Sequence, residues 1–195
     1  MAFKFPDKDP DEKLDYTVDW SRYLDPEGLT ISSATWKIEK LDGTAITFAA
    51  GKVFQNDVLV PNDSATAGIA SAVSSSTTVE LSGVSGIPQV GHLVTGTGIT
   101  EDVYVTSKVN WPEITLSAPI TVASDVTLTF SSVGLRNATT PVIGSDNKTT
   151  TIVLEKGQAN KTYTLVCEIT TTESAKTTDP IVTNRRIKLK VRERM

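Results

Sequence analysis

The sequence predicts an all-β chain, and three observations carry that prediction. Apolar and polar residues alternate over one short run after another, the period of a half-buried strand. Thr, Ser and Val are conspicuous in the composition, and Thr and Val favour strands over helices. No stretch longer than three turns sets apolar residues at helical spacing. The clearest run covers residues 150–171, where Ile152 and Leu154, then Tyr163, Leu165, Cys167 and Ile169, form two apolar stripes joined by a short turn, as in a hairpin. Tyr163 stands near the start of the second strand, the place of the tyrosine corner in immunoglobulin-like sandwiches. The implied architecture is an immunoglobulin-like β-sandwich with a small inserted antiparallel β domain. Its parts are an extended arm over 1–13, a host sandwich over 14–62 plus 133–195, and a guest over 63–132.

Each element follows from local pattern. Residues 1–13 are dominated by Lys, Asp and Pro and read as an arm that orders on assembly. Over 13–20, Leu14, Tyr16, Val18 and Trp20 alternate with Asp15, Thr17 and Asp19, a clean strand. Pro26 and Gly28 break the chain, and a second strand follows through Ala34, Trp36 and Ile38. Asp42-Gly43 marks a two-residue hairpin turn. The apolar residues at 53, 54, 58, 59 and 60 are less regular and suggest one strand with a bulge. From 64 to 76 the chain is small and polar, the composition of a linker. Five short β runs then occupy 77–131 (TTVEL, HLVTG, DVYVTSKV, EITLS and DVTLTFSS), spaced as in a small antiparallel sheet or barrel. Beyond the polar loop over 173–180, the last strand alternates Ile187, Leu189 and Val191 with Arg186, Lys188, Lys190 and Arg192. One sandwich split by an insertion is the economical arrangement, because the strands after 133 are too few to stand alone.

Charge and composition narrow the function classes. A net charge of −4 and a pI near 5.1 argue against a general nucleic-acid binder. The single cysteine, Cys167, has no intrachain partner and falls on the inward parity of its strand, which reads as a buried, inert thiol. The charged N-terminus lacks the apolar core of a signal peptide, and no apolar run is long enough to span a bilayer. The expectation is a soluble chain made in the cytoplasm.

No constellation of chemistry survives inspection, and the expected catalytic, cofactor-binding and metal sites are none. His92 is the only histidine, so a multi-histidine metal site is excluded. Ser85 within GVSGI lacks the final Gly of a nucleophile elbow, so Ser85 reads as a turn residue and His92 as an edge-strand residue. Asp7, Asp9 and Asp11 imitate the start of a calcium loop, but Glu12 and Val18 stand where Gly and Glu are required. Gly96 and Gly98 shape a turn and not a dinucleotide fingerprint. Glu101, Asp102 and Glu113 lie in turn-like stretches with no sign of the paired carboxylates a depolymerase needs. The basic stripe Arg186, Lys188, Lys190, Arg192 and Arg194 reads as a solvated face or a Lys-defended edge, with contact to an acidic protein as its functional reading. Tyr104 and Trp111 are the aromatic residues available to stack on sugar, against a plain packing role for Trp111 before Pro112.

Two parts of the chain carry a resemblance. Lys8-Asp9-Pro10-Asp11, Leu14-Asp15-Tyr16, Asp19-Trp20-Ser21 and Thr35-Trp36 follow a K-D-P-D-x-x-L-D-Y-x-x-D-W-S stretch and an S-x-x-T-W strand. Gly157, Thr162-Tyr163-Thr164-Leu165, Ile169-Thr170-Thr171 and Arg185 to Val191 follow the matching end. Over about 5–60 and 134–193 the chain thereby resembles the fiber-tail adaptors of tailed bacteriophages. The middle, through its V-G-x-L-V-x-G-x-G-I core, resembles a β module of phage tail and bacterial surface proteins. The resemblance implies a non-enzymatic structural component of the tail or neck that holds fibers on the tail hub through symmetric copies of itself. Its implied partners are other tail or neck proteins, tail fibers and further copies in a homo-oligomeric ring, with no membrane and no direct nucleic-acid contact. Its implied location is the virion, after synthesis in the host bacterial cytoplasm. The alternative is an outward-facing module that binds host or glycan.

Overall fold

A computed structural model describes residues 3–172 and 180–193. Arg194, the first two residues of the arm and nearly all of the loop read over 173–180 lie outside the described residues. The strands are, in chain order, β1 (Phe3–Lys4), β2 (Lys13–Asp19), β3 (Ile31–Glu39), β4 (Ala45–Thr47), β5 (Lys52–Gln55) and β6 (Val58–Pro61). There follow β7 (Ser64–Ile69), β8 (Val73–Ser85), β9 (Leu93–Gly96), β10 (Val103–Ser107), β11 (Glu113–Val122) and β12 (Thr127–Ser131). The last are β13 (Leu135–Asn137), β14 (Val142–Ile143), β15 (Thr149–Lys156), β16 (Thr162–Thr171) and β17 (Val182–Lys190). One helical turn, α1 (Ser21–Leu24), runs into a 3₁₀ turn over Asp25–Glu27. The chain is thus all-β, and it divides into two compact units: residues 1–52 with 135–195, and residues 53–134.

The first unit holds two sheets. One has the order β1-β17-β16-β3-β4, antiparallel throughout except where β1 runs parallel to β17. In the other, β2 lies along one edge of β15, and β13 and β14 lie along the opposite edge. Side chains from the two sheets meet in a common core. Thr150 Oγ1 lies 3.1 Å from Cys167 Sγ, and the Phe5 ring sits 4.6 Å from Tyr16 and 6.4 Å from Trp36. The expected inward parity holds for Tyr16, Val18, Trp20, Trp36, Ile38, Ile187 and Leu189, all buried. Ile31 is buried as well although it has the opposite parity. A bulge between Thr170 and Thr171 lets β3 skip a residue there and restores the inward direction.

Residues 150–171 do not form a hairpin. β15 pairs with β2 and β16 with β3, so the chain crosses from one sheet to the other between them. Two apolar stripes in succession are equally served by pairing side by side or by facing one another. Here Gly157, at φ 121, makes the crossing, a conformation that side chains other than glycine resist. At the start of β16 the Tyr163 hydroxyl accepts a hydrogen bond from the Gln158 amide at 3.1 Å, five residues upstream.

Three other local expectations are corrected. The turn at Asp42-Gly43 is a three-residue loop, with Lys40 and Thr44 bonded across it and Gly43 at φ 83. The left-handed glycine closes the loop, as in other three-residue hairpin connections. Residues 52–61 are not one bulged strand but the pair β5 and β6, which are neighbours in their sheet. Asn56 and Asp57 turn between them at φ 47 and 61, a conformation short polar side chains tolerate. The arm is docked and not free. Phe5 N donates to Lys188 O, Lys8 N to Lys190 O and Arg192 N to Lys8 O, and Lys8 is fully buried.

In the second unit β7 to β12 close into a barrel of order β10-β11-β8-β7-β12-β9. Its interior is filled by Ile69, Val79, Leu81, Val94, Val105, Ile114, Leu116, Leu128 and Phe130, with Ala65 and Ala67 among them. Those two alanines expose the error in reading 64–76 as a linker. Ala65, Ala67 and Ile69 alternate inward against Ser64, Thr66 and Gly68, but small side chains give the period almost no hydrophobic weight.

Candidate interaction surfaces

The residues singled out by sequence fall into separate places. His92 is not on an edge strand; it lies in the turn before β9 and is fully buried. Its Nε2 stands 2.9 Å from Asp63 Oδ1, an ion-pair distance without hydrogen-bond alignment, and its Nδ1 accepts a long 3.4 Å bond from the Gln89 amide. Burial pushes the imidazole below its ordinary pKa, against the opposing pull of Asp63. Ser85 ends β8 and pairs in register with Thr66. Asp63 is the partner that sequence reading missed, and nothing in the spacing of 63 and 92 points to it.

The arm acids serve the arm itself. Asp9 Oδ1 accepts from the Asp11 amide at 3.0 Å, and Glu12 Oε2 accepts from the Asp9 amide at 3.1 Å. Asp7 pairs with Lys4 and Arg192, and the Lys4 contact holds its carboxyl below the usual range. Inside this turn the buried Lys8 ammonium donates to Asp9 O at 2.7 Å, and desolvation pushes its pKa down. Glycines 96 and 98 lie at the end of β9 and in the turn after it, Gly98 at φ 90. Among the described residues no group of three or more His, Cys, Asp or Glu converges to hold a metal. Cys167 is buried, and its thiol is pushed up to about 11 by that burial.

Internal contacts neutralise two members of the basic stripe. Arg186 reaches Glu39 at 3.2 Å and Arg192 reaches Asp7 at 3.0 Å. Arg185 lies over the Trp20 ring at 4.3 Å and donates to Asp19 O at 2.6 Å. Lys188 and Lys190 carry the remaining outward charge of β17, flanked by Thr164 and Thr162 on β16. Two amines beside threonines make a weak anion surface, while Arg186 and Arg192 are spent on contacts within the chain.

The aromatic candidates do not form a shared platform. Tyr104 lies on β10 with its amide bonded to Ser117 Oγ, whereas Trp111 lies in the following loop. Glu101 lines a depression with Ala118, Pro119 and Thr121, at the barrel end away from Glu113. Trp111, which precedes a cis proline, is instead grouped with Ile87 and Lys108. No helix among the described residues is long and apolar enough to cross a membrane.

Residues 8–104 match the family model for the podophage GP4 fiber-tail adaptor protein gp77. The match takes in β2 and β3 and runs on through β7 to β9 into the start of β10. It therefore covers part of the middle that the motif resemblance left out. No curated protein matches the chain.

Proposed function

The chain belongs to the podophage fiber-tail adaptor family, a structural family of the phage tail, and from that premise we propose that it joins fibers to the tail hub as a symmetric ring of identical copies. The family match over residues 8–104 carries this reading. The first unit supports it as an immunoglobulin-like host. Its Tyr163 hydroxyl bonds back to the backbone as a tyrosine corner does, and its two sheets share one core. Sandwiches of this kind offer loops and strand edges for lateral pairing without a pocket. Repeated head-to-tail contacts close such copies into a ring when the rotation permits. The compact unit 53–134 supports reading the middle of the chain as a guest set into that host. In this reading the protein is made in the host bacterial cytoplasm and is built into the virion. Other tail or neck proteins and the fibers are its partners.

The test is direct. Virions assembled with an epitope-tagged chain, imaged by electron microscopy, should carry the tag at the tail in repeated copies around its axis. Virions free of the chain overturn the adaptor reading, and a single off-axis copy overturns the ring.

A further inference from the structure

The second unit carries a cluster that the adaptor reading leaves unused. The β8–β9 and β10–β11 loops meet at one end of the barrel, where Lys108 Nζ donates to Pro88 O at 3.2 Å and to Gln89 Oε1 at 2.9 Å. On these loops Ile87 is 61% exposed, Val109 89% and Trp111 48%. Scattered single apolar residues on a surface need no explanation, but three on adjoining loops do. Ile87, Lys108 and Trp111 line a notch of about 290 Å³. Because the Lys108 ammonium is tied to the opposite loop, its methylene stem forms a wall of that notch.

Beside the notch, where β11 begins, Glu113 stands directly opposite Glu80 on β8. Like charges at a cross-strand position repel and destabilise the pair. Among the described residues neither carboxylate has a cationic partner, and Glu113 accepts only a 3.3 Å bond from Asn110 Nδ2. Exposed apolar side chains and juxtaposed carboxylates are relieved together when one partner covers both.

We propose that this barrel end is a docking surface for a protein segment of another virion component. That segment seats an apolar side chain in the notch and sets an Arg or Lys against Glu80 and Glu113. The inference rests on the adaptor reading for the source of its partner. The chemistry selects protein over sugar. The ring of Trp111 shares its notch with aliphatic Ile87 and the methylene stem of Lys108, walls that suit an apolar side chain better than a sugar face. A Trp with apolar neighbours and charge at the rim is the anatomy of a protein hot spot.

The experiment is a thiol footprint. Val109→Cys places a thiol at the most exposed of the three positions, while Cys167 stays buried and its thiol protonated. A maleimide-polyethylene glycol reagent should label the isolated chain readily and label intact virions at least about tenfold more slowly, a protection worth roughly 1.4 kcal/mol. Equal rates overturn the docking surface while the adaptor reading stands, and virions free of the chain overturn both. Glu113→Lys supplies a second readout. It converts a repulsive pair into an attractive one, so the isolated chain should hold or gain stability while incorporation into virions falls. Undiminished incorporation overturns the proposal. Free labelling at position 109 in virions, with host-polysaccharide binding lost in Trp111→Ala, would identify a glycan surface and overturn it too.

Discussion

Arg185→Ala separates a structural role for the basic strand from an interface role. The guanidinium lies 4.3 Å from the centre of the Trp20 ring and donates to Asp19 O at 2.6 Å. A half-exposed cation–π contact contributes about 1 kcal/mol, and a hydrogen bond from a charged donor about 1.5 kcal/mol. Ordering a long side chain costs about 0.5–1 kcal/mol in return. The net loss expected is about 2 kcal/mol, including some exposure of Trp20. Urea unfolding followed by tryptophan emission reads this loss in the right unit. Trp20 and Trp36 are buried there, so unfolding shifts their emission strongly, whereas Trp111 is already half in water. Lys188→Ala, on the same strand but without an ion-pair partner among the described residues, should stay within about 0.5 kcal/mol of the parent. Arg185→Lys should recover less than half of the loss, since an ammonium cannot stack and donate as a planar fork does. Equal midpoints for Arg185→Ala and Lys188→Ala would refute the structural reading of Arg185.

Three further outcomes follow from the packing. Phe130→Ala in the barrel interior should cost about 3–5 kcal/mol, read as lost hydrogen-exchange protection across 53–134. The barrel should weaken on acidification. Burial holds the folded-state pKa of His92 below the ordinary 6.5, so the unfolded chain binds the proton first. The associated stability is present in full above that value and is lost as pH falls toward the folded pKa. Groups facing the ring are Asp63, which opposes the shift, and Lys108, which adds to it. His92→Gln should flatten the pH dependence of the barrel's melting temperature between about pH 7 and pH 5. Phe5→Ala removes the ring that packs on Tyr16 and Trp36 and should weaken arm docking by about 1–2 kcal/mol. Trypsin cleavage at the buried Lys8 should then speed up about tenfold, and an unchanged rate would show that the arm is held elsewhere.

Strands were legible in the sequence where large side chains carried the alternation. Tyr16, Val18 and Trp20, and later Ile187, Leu189 and Val191, announce their faces because each inward side chain is many times more apolar than its neighbours. β7 was illegible for the opposite reason, since alanines pack the same interior without marking a period. Periodicity also reports which way a side chain faces and not which strand lies beside it. The crossing between β15 and β16 therefore read as a hairpin, although each of the two strands pairs elsewhere, with β2 and β3. At the candidate surface Trp111 stood out by residue type. Ile87, twenty-four residues earlier, joins it only through closure of the barrel, and Glu80 meets Glu113 only through strand register. No local pattern encodes either meeting.

Closure also decides how each unit meets a partner. The five-stranded sheet has two edges, and the arm covers one through β1 and the bridge from Lys8 to Val191. A released arm would bare the Lys188 and Lys190 carbonyls that now accept from it, so the docked arm covers this edge. An exposed edge is a template for another strand, and exchange of the arm for a partner's strand would keep the same backbone bonds. The barrel offers no such route, because every strand in it is flanked on both sides. A partner of the barrel is confined to its outer wall and its end loops. The wall is largely threonine, serine and charge, so an apolar anchor has to be taken at an end, where Ile87, Val109 and Trp111 already stand in water.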